Sequence, residues 1–242
     1  MSNTAIITGA SRGIGRACAL ELAPHFDTIV INSFSHPNDL VATQKEIQQL
    51  GTTCLSFAGD IGDYHFVHSM MQEILAHNLT VDLLINNAGI SYVGLLSDMT
   101  IDDWNQIVST NLTSVFNCCN QLVPHMVSNK SGHIINISSM WGISGASCEV
   151  AYSATKGGVN AFTKALAKEL APSNVRVNAL ACGAIQTEMN ACFSQDELDA
   201  LCEDIPACRL GTAEEIANMV WQLYNTPFYL TGEVIKIDGG YL

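Results

Sequence analysis

The sequence predicts an α/β fold: a Rossmann-type, doubly wound parallel sheet of about seven strands, with helices on both faces, in one domain over residues 1–242. Three observations predict it. Short β-branched runs alternate with longer amphipathic segments, the pattern of βα units. The runs are apolar on both faces, as in Ile134-Ile135-Asn136-Ile137, which suits strands covered by helices on each side. A glycine-rich turn joins the first run to the first helix, where such folds place their ligand. The strand candidates are 4–8, 28–32, 53–57, 82–86, 133–138, 175–180 and 233–237. Helices are predicted near 14–23, 39–50, 63–77, 101–127, 152–170 and 212–224. Thr100 before Asp103 reads as a helix N-cap. No repeat, low-complexity tract or Pro/Gly/Ser linker divides the chain.

Composition narrows the function classes. A chain of 242 residues, 48% hydrophobic and 14% charged, is long enough to bury a core without disulfides or metal. No apolar run approaches the ~18 residues needed to span a bilayer, and no basic leader precedes an apolar segment, so the cytoplasm is the expected compartment. The nine cysteines are odd in number and irregularly spaced, without a Cys-x-x-Cys pair, and read as small buried hydrophobes. No metal site is expected. A net charge of −13, from 23 acids and 10 bases, opposes nucleic acid and anionic membrane as partners.

Two clusters carry chemistry. The first strand ends in Thr8-Gly9-Ala10-Ser11-Arg12-Gly13-Ile14-Gly15 and runs straight into a helix. Glycines there permit a tight turn and let a pyrophosphate approach uncapped N–H groups; an ordinary strand-to-helix turn is the alternative. The second cluster is Ser138-Ser139 after the fifth strand, followed by Tyr152 and Lys156 in the next helix. Tyr152 and Lys156 are four apart and share a helix face. An ammonium near a phenol favours phenolate, which would make Tyr152 a usable acid and base. Ser139 is placed to hydrogen-bond a carbonyl oxygen as charge develops on it. By itself, Tyr-x-x-x-Lys is a common solvated face.

Together these residues resemble the short-chain dehydrogenase/reductase family over essentially the whole chain. Five stretches match in order: Thr8 to Gly15; Asn86-Asn87-Ala88-Gly89 after the fourth strand; Asn111 in Thr110-Asn111-Leu112-Thr113-Ser114; Ser139; and Tyr152 with Lys156. The resemblance implies hydride transfer between a nicotinamide and a carbonyl carbon. Tyr152 would protonate the alkoxide and Ser139 would hold the carbonyl oxygen. Lys156 would bind the nicotinamide ribose, and Asn111 would support a water in a proton relay. Asn111 is alternatively a helix-kink residue. Asp60 and Ile61, after the third strand, would meet the adenine, with a helix cap as the alternative for Asp60. Where the family usually has Pro-Gly after the sixth strand, this chain has Cys182-Gly183; Gly183, Ile185 and Thr187 still fit the pattern that contacts the cofactor.

The second strand ends Ile31-Asn32-Ser33-Phe34, without the carboxylate that grips an NAD ribose, and Arg12 sits in the glycine loop. NADP(H) is therefore the expected cofactor, with NAD(H) the alternative. The general pattern is similar to 3-oxoacyl-[acyl-carrier-protein] reductases. A narrower stretch, Ser138 to Gly142 with Gly145 to Val150, resembles reductases of the 5-aminopentanone group on elongation factor P. Acyl carrier protein is acidic, and Lys130 and Arg176 are the few bases offered for docking it, so −13 argues against that partner. Glu149 suits an ammonium-bearing ketone, or else faces solvent or caps a helix. A non-catalytic nucleotide-binding scaffold is the reading from another class. A homotetramer is expected from the resemblance, with Val159, Phe162, Leu166 and Leu170 offered to a partner or to the chain's own sheet.

Overall fold

The computed structural model describes residues 3–77, 79–190 (the side chain of Asn190 excepted) and 193–242. Seven parallel strands form one sheet: β1 (Asn3–Ile7), β2 (Thr28–Ser33), β3 (Thr53–Ala58), β4 (Thr80–Asn86), β5 (Gly132–Ser139), β6 (Val175–Cys182) and β7 (Val234–Ile237). Their order is β3-β2-β1-β4-β5-β6-β7, so the winding reverses between β1 and β4 and a crevice opens beyond their carboxyl ends. All seven sequence-predicted strands are present.

Alternation along each strand feeds two cores. Ile7, Ile29, Ile31, Leu83, Ile85, Ile135 and Leu180 pack on one face against α1 (Gly13–Leu22), α2 (Pro37–Gln49) and α9 (Ala213–Tyr224). Their neighbours Ile6, Val30, Leu84, Ile134 and Val177 point to the other face, against α3 (Tyr64–Ala76), α5 (Ser114–Asn129) and α7 (Val150–Leu170). Each fully buried aliphatic side chain contributes roughly 1.5–3 kcal/mol, which explains why near-continuous apolar runs occur in β2, β5 and β6. Among the described cysteines, Cys18, Cys54, Cys118, Cys119 and Cys182 are buried in the manner of small hydrophobes.

The helices depart from expectation in three places. The segment predicted as one helix over 101–127 is α4 (Ile101–Val108), a π turn (Ser109–Thr113) and α5. Two further helices, α6 (Trp141–Ser144) and α8 (Gln195–Asp204), lie where none was predicted. In the stripe, Val159 and Leu170 are buried in the chain's own core, while Phe162 and Leu166 pack against it and stay partly exposed. Thr100 and Asp103 do form a reciprocal capping box at α4. The cap of α3 is Asp63, which accepts from His65 N, and not Asp60. No helix among the described residues is long and apolar enough to cross a membrane.

Candidate functional site

A cavity of about 780 Å³ opens at the carboxyl end of the sheet, over the crevice between β1 and β4. It runs from Arg12, Asn32, Ser33 and His36 past Gly9, Gly13, Asp60, Asn87 and Gly89 to Ser139, Trp141, Glu149, Tyr152 and Lys156.

The floor at β1 is built by close backbone approach. Gly9 has φ +66°, and a Cβ there would lie 2.7 Å from Ala88 Cα. A Cβ on Gly15 would lie 2.3 Å from Gly9 O and 2.4 Å from Asn87 Nδ2. The loop is fastened to β4 through side chains. Thr8 Oγ1 accepts from Asn87 N (3.0 Å) and Ala88 N (3.2 Å), while Asn87 Nδ2 donates to Thr8 O (2.9 Å) and Gly9 O (3.1 Å). At its other end, Ser11 Oγ accepts from Ser33 Oγ at 3.0 Å. Helix α1 then starts with no side-chain cap and no acid in its first turn, unlike α4, α8 and α9 with their capping boxes. Its first N–H groups and the positive end of its dipole are left for an anion from the cavity. A dinucleotide pyrophosphate fits this cradle.

The adenosine end has no carboxylate among residues 32–36, all of which line the cavity. Asn32 spends both amide hydrogens on Phe57 O (3.0 Å) and Gly59 O (2.9 Å), tying β2 to the carboxyl end of β3 and the residue beyond it. Arg12 is exposed at the rim, and its guanidinium makes no hydrogen bond or ion pair among the described residues, whereas Arg16 is held by Glu46 at 2.5 Å. Asp60 Oδ1 accepts from Gly62 N at 2.7 Å, a local turn that leaves Asp60 and Ile61 on the cavity wall.

At the opposite end, the π turn aims Asn111 inward; such bulges recur at functional sites. Its Oδ1 accepts from Ile90 N (2.8 Å), and its Nδ2 donates to Ile90 O (2.9 Å) and Thr155 Oγ1 (3.3 Å). Asn111 is thus both the kink residue and a buried clamp. Lys156 Nζ donates to Ile137 O at 2.8 Å and sits 5.7 Å from the Tyr152 ring centroid. A Cβ on Gly89 would lie 3.4 Å from Asn111 Oδ1 and 3.5 Å from Lys156 Nζ, so these three groups meet at one point. Ser139 hydrogen-bonds the Tyr152 phenol, and its Oγ accepts from Trp141 N at 3.1 Å.

Burial decides the protonation states here. It pushes the Tyr152 phenol well above its usual range, with the Ser139 hydrogen bond acting against it. It pulls the Lys156 ammonium down to about 8. Desolvation thus holds the phenol neutral. A neutral phenol bonded to a hydroxyl, next to a buried ammonium, can deliver a proton to an oxygen on which charge develops. Cys182 faces Ser139 across the β5–β6 pair and is buried beside Lys156. Gly183 passes so close to β7 that a Cβ would lie 2.6 Å from Asp238 Cα. Ile185 and Thr187 line the cavity.

Glu149 lies in the cavity wall and does not cap α7 with its side chain. Its carboxylate accepts from Ser91 Oγ (3.0 Å) and from the Trp141 indole N–H, and burial raises its pKa. Sequence alone did not single out Ser91, Phe193 and Leu201, which also line the cavity, and Trp141 was noted there only within the stretch Ser138 to Gly142. Phe193 and Leu201 flank or belong to α8, whose pattern gives no ligand signal.

A family model described as short chain dehydrogenase matches residues 3–198. The chain is 37% identical over 241 residues to a 3-oxoacyl-[acyl-carrier-protein] reductase of Staphylococcus epidermidis, covering 99% of both chains. It is 36% identical to the protein of that name in Staphylococcus aureus, covering 99% of this chain and 98% of the relative. The crystal structure of a 3-oxoacyl-[acyl-carrier protein] reductase from Brucella melitensis superimposes with a TM-score of 0.91 at 34% identity, covering 100% of this chain and 91% of that one.

The lowered Lys156 sets an expectation for pH. The ammonium is present below about 8 and is lost as pH rises through it, while the raised Tyr152 stays protonated. The kcat/KM for ketone reduction, which reports groups in the free enzyme, should be flat at neutral pH and fall above about 8. A profile over pH 6–10 that stays flat to pH 9.5 would contradict this assignment.

Proposed function

The chain belongs to the short-chain dehydrogenase family and is a nicotinamide-dependent oxidoreductase of C=O and CH–OH groups; we propose that it reduces, with NADPH, a ketone carried on a protein. The observation that carries this reading is the meeting of Ser139, Tyr152 and Lys156 at one end of a cavity whose other end is the glycine cradle of α1. When bound, the dinucleotide supplies the hydride. Gly9, Ser11, Gly13 and Ile14 would hold its phosphates, with Gly15 packed behind them on Gly9 O and Asn87. Asp60, Ile61, Ala88 and Gly89 would line its path, and Gly183, Ile185 and Thr187 would lie beside the reactive end. Ser139 orients the carbonyl oxygen, Tyr152 donates the proton, and Lys156 binds the nicotinamide ribose and stabilises the phenolate left behind. Asn111 fixes the Ile90 backbone next to Lys156. Tyr152→Phe should lower kcat by about 10²–10⁴-fold with NADPH affinity nearly intact. Near wild-type turnover in that variant would overturn the assignment.

NADPH is favoured over NADH by the free guanidinium of Arg12 and the absence of an acid at 32–36. A 2′-phosphate contact is a charge-assisted bond worth roughly 1.5–3 kcal/mol. Arg12→Ala should therefore lower kcat/KM for NADPH by about ten- to a hundredfold and leave that for NADH almost unchanged. Equal kcat/KM for the two cofactors in the unmutated protein would refute the preference.

The carrier divides two readings. The relatives' names favour a 3-oxoacyl thioester on acyl carrier protein. The cleft favours an aminopentanone on elongation factor P. Lys130 and Arg176 lie at the amino ends of β5 and β6, away from the cavity, and the arginine is buried. The wall near Tyr152 instead offers the Glu149 carboxylate, held in place by Ser91 and Trp141 and paired with no base among the described residues. An ammonium on the ketone's far end would complete it. Glu149→Gln should raise KM for an amino-ketone about tenfold or more and spare an uncharged ketone. Equal losses on both substrates would return the lead to the acyl-carrier reading.

A further inference from the structure

Asn160 lies on α7 one turn beyond Lys156 and is 8% exposed, between the core residues Val159 and Thr163. A polar amide in such a place is costly unless its groups are bonded, and here both ends are. Asn160 Oδ1 accepts from Ser138 Oγ at 2.6 Å, and Asn160 Nδ2 donates to Gly142 O at 3.0 Å. The first bond ends on the residue before Ser139. The second ends on the residue after Trp141, whose indole N–H holds Glu149. Gly142 O belongs to α6, a helix of four residues whose last carbonyls have no turn beyond them to bond. The contact is possible because Gly142 has no side chain: a Cβ there would lie 2.6 Å from the Lys156 carbonyl carbon. Ser138 Oγ also reaches Lys156 O at 3.3 Å, closing the loop back onto α7.

We propose that Asn160 is a positioning residue for reduction, stapling the carboxyl end of β5 and the whole of α6 to the helix that carries Tyr152, and so fixing Ser139 and Trp141 against the phenol. This rests on the proposed roles of Ser139 and Tyr152. A leucine would fill the same space and serve the core equally well, so packing alone does not call for an amide. The one side chain couples the group that holds the carbonyl oxygen to the wall that meets the rest of the substrate. Asn160 touches neither and acts through both.

The test uses the full-length protein, NADPH and an acetoacetyl thioester. Asn160→Leu removes both bonds while keeping the same branched four-heavy-atom skeleton, with two methyls in place of the amide oxygen and nitrogen. It should lower kcat about tenfold or more, since small misplacements of reacting groups are costly, while KM for NADPH and the melting temperature stay near wild type, the cradle at β1 being remote. Asn160→Asp keeps the acceptor for Ser138 but sets a second oxygen against Gly142 O. Its kcat relative to wild type should rise as pH is lowered and the carboxyl gains a proton to donate. A wild-type kcat in Asn160→Leu, or a kcat loss matched by an equal loss of NADPH binding, would overturn the proposal. If Asn160→Leu does not fold, a pH-independent activity ratio for Asn160→Asp would overturn it alone. A wild-type protein that reduces no ketone would instead sink the functional reading beneath it.

Discussion

The site depends on how closely the turn after β1 can pass over the end of β4. Gly9 and Gly15 have no room for even a methyl group, because Ala88, Asn87 and the loop's own carbonyl already occupy the space. Thr8 and Asn87 then lock the two strand ends together with four hydrogen bonds. The winding reverses at this seam, so the helices that follow diverge from it and leave the cleft. The position of Gly89 follows from that of Ala88. Gly89 in turn abuts Asn111 and Lys156, so the reacting end of the cavity is registered to the phosphate end through a few residues of continuous backbone.

A second constraint is electrostatic. Tyr152 and Lys156 are placed where water would otherwise stabilise their charged forms, and burial shifts them in opposite directions, the phenol up and the ammonium down. One becomes a firm proton holder, the other a labile cation near neutral pH. The ammonium survives burial because Ile137 supplies a carbonyl at 2.8 Å. Residues 32–36 bring no carboxylate to the cavity, whereas Asp60, Glu188 and Glu197 line it as well as Glu149, and Glu188 comes within 4.0 Å of where a Gly13 Cβ would lie.

The central strands β2, β5 and β6 were legible because they are buried on both sides, which leaves near-continuous apolar runs. The motif residues were legible because their spacing obeys the helix and the turn. The π turn was not, since Ser109-Thr110-Asn111-Leu112-Thr113 has the same periodicity as a straight helix; only the bonds from Asn111 to Ile90 show why an extra residue is accommodated. Helix α6 is too short to leave a periodic trace and is held from outside by Asn160. The side of Glu149 was likewise undecidable from position alone: a residue just before a helix can cap it or turn away, and here Ser91 and Trp141 turn it away.

Cys182 stands where relatives of the family pattern usually carry proline, yet the loop behind it is tied down by other means: its carbonyl accepts from Met140 N at 2.8 Å, and Gly183 N donates to Ile237 O at 2.9 Å. Burial raises its thiol to about 12, which leaves about one part in 10⁵ as thiolate at pH 7. Alkylating reagents and peroxide attack thiolates they can reach, and this sulfur offers neither access nor charge. Cys148, by contrast, is partly exposed one residue before Glu149. A maleimide dye added to the native protein would accordingly mark Cys208, Cys202 and Cys148 among the described thiols and leave the floor of the cleft chemically silent.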